Sequence, residues 1–186
     1  MRQGLKKFDA STQGGRTRQG ALIGENYVSE ILEVLGIKNI KEEFGKRIYY
    51  KELTYKTSLE PDFIVENTGT AYKDKEYIFI ESKFKQISGS DWEKIESNFG
   101  FHDWFYNRLA KISCKTIVIL SGYWKELENK YPLLMVYFKE YYGKETIFDF
   151  AFKKEIERFA KFMNVPWTSE VDNKVSVIYN KYQKIE

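Results

Sequence analysis

Residues Thr116-Ile117-Val118-Ile119-Leu120 are continuously apolar or β-branched, and Ser121-Gly122 closes the run. So short a run without alternation suits a strand covered on both faces rather than one with a wet side. A strand of that kind needs helices to bury it, which directs the chain toward a layered α/β domain. The 186 residues suffice for one such domain with a short appendage. The longest apolar runs, 116–120 and 133–138, are too short to cross a bilayer, and the N-terminus lacks the apolar core of a signal peptide. A soluble, cytoplasmic protein is expected.

The remaining pattern supplies the other layers. Leu22, Ile23, Val28, Ile31, Leu32 and Leu35 recur at helical spacing from Ala21 until Gly36, predicting a first amphipathic helix. Residues 48–55 and 63–65 read as strands, Asn67-Thr68-Gly69-Thr70 as a turn, and 76–83 as the clearest strand. Ser90 with Glu93 forms a capping box, opening a helical region to about Ile112. After the 116–120 strand come a helix over 123–142 interrupted at Pro132, a short strand at 146–149 and a helix over 151–163. The pattern leaves open whether residues 171–186 form a strand or a helix.

Several chemistries drop out on composition. One cysteine, Cys114, excludes an internal disulfide and multi-cysteine metal sites, and one histidine, His102, excludes histidine-rich ligation. His102 lies in an aromatic stretch that suits packing or surface exposure better than general base catalysis. Neither a Walker loop nor a GxGxxG fingerprint occurs. The total charge of +3 is modest, but residues 1–20 carry five cations against Asp9, a net of +4 that leaves −1 for the other 166 residues. Residues 1–20 are therefore read as a basic arm, suited to phosphates or simply to solvent, and 21–186 as the single domain.

One constellation carries chemistry. Pro61-Asp62 begins a strand, and Glu81-Ser82-Lys83 ends the next. Alternation puts Glu81 and Lys83 on one face of that strand, and a hairpin brings Asp62 alongside. Two carboxylates offer hard oxygen ligands to Mg²⁺, and the lysine can orient water and neutralise charge on a phosphorane-like transition state. Glu25, in the first helix, is a candidate further metal ligand; Glu30 is a weaker one. The same residues can instead make a solvent-facing cross-strand ion pair beside a turn acid. Lys85 continues the face, and Lys73 and Lys75 in the connecting loop extend a basic edge toward a DNA backbone or toward solvent. The aromatic residues Trp92, Phe99, Phe101, Trp104, Phe105 and Tyr106 suit a core or an interface better than base stacking.

Pro61-Asp62, Glu81-Ser82-Lys83 and the helix glutamate Glu25 resemble the PD-(D/E)XK nuclease superfamily, over about residues 20–120. The resemblance implies a restriction endonuclease-like three-layer core, a central mixed β-sheet flanked by helices. It implies Mg²⁺-dependent cleavage of DNA, with Asp62, Glu81 and Glu25 as metal ligands and Lys83 as the catalytic lysine. One site cuts one strand, so double-strand cleavage requires either a homodimer or a larger recognition and nicking subunit. In length and general likeness the chain is similar to the small cleavage subunit of a heterodimeric type IIS restriction endonuclease. A junction resolvase-like repair nuclease acting as a homodimer, and a non-catalytic module on a nuclease-like fold, are the alternatives.

Overall fold

The computed structural model of the chain describes residues 13–48, 60–85, 103–124, 129, 132–142 and 146–184. Among them the elements are α1 (Gln13–Val34), α2 (Lys41–Ile48), β1 (Phe63–Glu66), β2 (Tyr77–Lys85), a π-helical turn (Phe105–Leu109), β3 (Cys114–Gly122), α3 (Pro132–Tyr142), β4 (Ile147–Asp149), α4 (Lys153–Phe162) and α5 (Ser169–Tyr182). Helix α1 ends where Gly36 takes φ +68°, a conformation glycine adopts without steric cost. Thr168 caps α5 by accepting from the Val171 amide at 3.2 Å, and Pro132, with no N–H to lose, opens α3.

The described strands make one sheet in the order β1-β2-β3-β4. Strand β1 is antiparallel to β2, whereas the β2–β3 and β3–β4 pairs are parallel. The architecture is α/β with a four-stranded mixed sheet, and β3 is buried from Thr116 to Ser121, as its composition requires.

Side-chain alternation divides the core between the two faces. On one face Ile78, Ile80, Ile117 and Ile119 meet Val28 and Ile31 of α1, Ile156 and Phe159 of α4 and Val175 of α5. On the other, Val118, Leu120 and Ile147 meet Met135 and Phe138 of α3, while Phe79 and Ile64 meet Ile40, Phe105 and Tyr106. Burying a large apolar side chain contributes roughly 1.5–3 kcal/mol, so these opposed layers are the main force holding the sheet.

Several details depart from the sequence pattern. Helix α1 begins at Gln13, inside the segment read as an arm. Ile48 closes helix α2 instead of opening a strand, and the rest of the 48–55 expectation lies outside the described residues, as do Ser90, Glu93 and His102. The C-terminal segment is helical over Ser169–Tyr182. Among the described residues no helix is long and apolar enough to cross a membrane.

Candidate functional site

The pairing register builds the site. Phe63 lies opposite Ile80 in the antiparallel β1–β2 ladder, so the next step places Asp62 opposite Glu81. The Asp62 carboxylate fixes this corner by accepting from the Ser82 backbone amide at 2.7 Å. Two residues along β2, on the same face as Glu81, Lys83 donates to Glu81 Oε2 at 2.9 Å. Their burial is unequal: the Glu81 side chain is 6 % exposed and that of Lys83 28 %, so the ammonium is the part of the pair that solvent reaches.

Glu25 arrives from the other layer. Gly24 is buried where α1 crosses the end of β2; a Cβ there would stand 2.5 Å from Phe84 Cβ and 3.0 Å from Ser82 Oγ. The missing side chain lets the helix approach the strand and brings Glu25 into the field of Glu81 and Lys83. Partial burial raises the Glu25 pKa, opposed by Lys41 and Lys83 and reinforced by Glu81.

Asp62 shows the strain of this grouping. Burial first, then the neighbouring charge of Glu81, lifts its pKa from 3.8 to about 6, with Glu25 adding to the rise and Lys83 and the Ser82 amide opposing it. Burying an ion pair seldom stabilises a fold, because desolvation offsets the attraction. Two acids and a lysine at one sheet corner, with the charge of Glu25 acting on them from the helix, are therefore a structural cost, and costs of this kind concentrate at functional sites.

The sequence-selected residues are not equally close. Asp62, Glu81 and Lys83 meet on adjoining strand positions, whereas Glu25 is coupled to them through its charge. Among the described residues no group of three or more histidine, cysteine, aspartate or glutamate side chains is gathered so as to hold a metal ion. The donor set nonetheless suits a hard divalent cation in kind: its acceptors are carboxylate oxygens, and the mutual repulsion that raises Asp62 is what a cation would relieve.

Other candidates fall elsewhere. Glu30 is held by Lys181 at 2.6 Å and by the Tyr182 hydroxyl at 2.8 Å, away from the sheet corner. Lys85 is buried, its ammonium 4.9 Å from the centre of the Trp124 ring, so it does not continue a surface for DNA. Lys75 donates to Asn107 at 3.3 Å just before β2 begins, and Lys73 is exposed in the same loop. The anticipated basic edge is thus divided. Phe105 and Tyr106 are core residues and Trp104 is exposed, while Trp92, Phe99 and Phe101 lie outside the described residues. Cys114 is buried and its thiol is pushed up to about 12 by burial and by Asp103, which leaves it unsuited to nucleophilic work.

One contributor escaped the sequence reading. Lys41 at the start of α2 pairs with Glu60 at 3.2 Å and is the strongest positive influence on Glu25. Nothing in the spacing of residues 25, 41 and 60 announces this. In comparisons with protein-family models, curated proteins and solved structures, the chain matched none.

Proposed function

We infer that the chain is a Mg²⁺-dependent endodeoxyribonuclease with a restriction endonuclease-like core. The observation that carries this reading is the juxtaposition of Asp62 and Glu81 across a strand pair, with Lys83 on the Glu81 carboxylate at 2.9 Å. Asp62 and Glu81 would hold the cation, with Glu25 as a further acidic ligand from the helix. A bound Mg²⁺ supplies charge neutralisation at the phosphate and lowers the pKa of water. Lys83, the most solvent-accessible member of its pair, orients the attacking water and balances the negative charge that grows on the phosphoryl oxygens. The Ser82 amide keeps Asp62 turned toward the corner.

One such centre cuts one strand, so cleavage of a duplex takes a second centre in a partner subunit. An exposed apolar side of α3 supports a subunit contact: Leu133 is 80 % and Tyr141 72 % exposed, and the Tyr137 and Tyr141 rings stack at 5.5 Å. Helix α3 covers the same sheet face on which Glu81 and Lys83 lie, since these residues pair with Val118 and Leu120 beneath it. A larger subunit that recognises the site and cuts the other strand fits this arrangement.

The test is nicking of supercoiled plasmid DNA with and without Mg²⁺, the candidate large subunit being added in one arm. Metal-dependent nicking by wild type that is lost in Asp62→Ala and Lys83→Ala supports the reading. Wild-type and variant proteins that behave alike would reject it.

A further inference from the structure

Far from this corner, α4 and the turn after it enclose an open cleft of about 570 Å³, whose walls include Lys154, Glu157, Arg158, Lys161, Asn164 and Trp167. Its base is fixed at the opposite end of β1 from Asp62: Thr68 Oγ1 donates to the Met163 carbonyl at 2.6 Å, and the Asn164 amide donates to the Thr68 carbonyl at 3.4 Å. The Trp167 indole N–H donates to Asp172 at 3.1 Å, which pins that wall. Strand β1 alone, four residues long, puts about 13 Å between the two places.

The cations of α4 divide into two groups. Lys153 is satisfied by Asp172 at 2.8 Å, and Arg158 is clamped by Glu155 at 2.7 Å over the Phe148 ring. Lys154 and Lys161 are exposed, and among the described residues neither has a carboxylate within ion-pair distance. They flank Arg158 at positions i, i+4 and i+7 of one helix face, a row about 10 Å long. That length is about the rise of three nucleotides along one strand of DNA. The Lys154 ammonium lies 5.6 Å from the centre of the Phe152 ring. A row of two exposed ammonium groups with no ion pair among the described residues, on either side of a fixed guanidinium in an open concavity, is chemistry for an extended chain of singly charged anions.

We propose that this cleft is a second phosphate-binding site, in which Lys154 and Lys161 contact phosphodiesters about three nucleotides apart on a nucleic-acid strand outside the hydrolytic corner. The identification of the anion as nucleic acid rests on the nuclease reading; the anion-binding character rests on the cleft. Glu157, in the same wall, works against the ligand.

The experiment is fluorescence anisotropy of a labelled DNA duplex in EDTA, with affinity measured against KCl concentration. Each phosphate contact contributes about −0.9 to the slope of log K against log salt, so Lys154→Ala/Lys161→Ala flattens that slope by about 1.8. Replacing both lysines with arginine restores it, Glu157→Gln tightens binding, and Lys174→Ala, at a lysine already paired with Glu170, leaves it unchanged. All these side chains are exposed on helices, so the variants remain folded. The proposal is overturned by a slope identical in wild type and double variant, or by a wild-type chain that fails to bind the duplex at low salt. Inorganic phosphate displacing the duplex at concentrations equal to its phosphodiesters would also overturn it, marking a site for free phosphate. Nicking lost in Asp62→Ala beside an unaltered slope in the lysine variant defeats the cleft alone; an altered slope with no nicking defeats only the nuclease reading.

Discussion

Replacing Asp62 with asparagine should make the protein more stable at neutral pH while removing its activity. In the folded chain the carboxyl is raised from 3.8 to about 6. Below pH 4 the group is protonated in both folded and unfolded states. Between pH 4 and 6 the unfolded chain loses the proton that the folded chain retains, so stability falls as pH rises and the loss is complete above pH 6. At about 1.4 kcal/mol per tenfold change in proton affinity, the rise corresponds to about 3 kcal/mol. Asp62 is only partly shielded from solvent, which brings the expected gain for Asp62→Asn to about 1–3 kcal/mol at pH 8, falling toward zero at pH 4. The amide oxygen still accepts from the Ser82 amide, so the strand corner is retained. Urea unfolding followed by tryptophan fluorescence, in EDTA at a series of pH values, measures this directly. A variant no more stable than wild type at pH 8, or one whose stability difference does not change with pH, refutes the argument that crowding and burial destabilise the ionised acid.

Mg²⁺ or Ca²⁺ added to wild type should raise the urea midpoint, by about 2.7 kcal/mol of stability at one hundred times the dissociation constant, and the gain should vanish in Glu81→Gln; equal shifts in both proteins contradict the assignment of Glu81. Gly24→Ala forces α1 away from Phe84 and should cost about 1–3 kcal/mol in urea unfolding while lowering nicking more than Ala21→Ser, at an exposed position of the same helix. Tyr27→Phe removes the hydroxyl that donates to the Phe150 carbonyl at 2.9 Å in the core, and should cost about 1–3 kcal/mol by the same measurement.

How far the sequence discloses this structure depends on the range of the cause. Strands β2 and β3 are readable because β-branched runs encode them locally, and the shared face of Glu81 and Lys83 follows from alternation alone. The opposition of Asp62 and Glu81 needs the hairpin register, which the Asn67 turn supports: its side-chain oxygen accepts from the Thr70 amide at 3.0 Å. Glu25 is legible as a residue of the first helix, but its closeness to β2 is set by Gly24 meeting Phe84, a contact between remote segments. Lys85 looks like a surface lysine until Trp124 covers it, and Glu30 looks like a candidate ligand until Lys181 and Tyr182 take it. The polar, glycine-containing start of α1 carries no apolar period, so its helical state escapes a search for periodicity.

The clasp between α1 and α5 has a consequence for the order in which the fold is completed. Tyr27 stacks on Tyr182 with ring centres 4.5 Å apart, and Lys181 and Tyr182 both grip Glu30, so the helix bearing Glu25 is tied down by residues 151 and 152 positions further along the chain than that glutamate. During synthesis Asp62, Glu81 and Lys83 therefore emerge long before their helical neighbour is secured, and cleavage between α4 and α5 would remove the residues that hold the acidic helix in place.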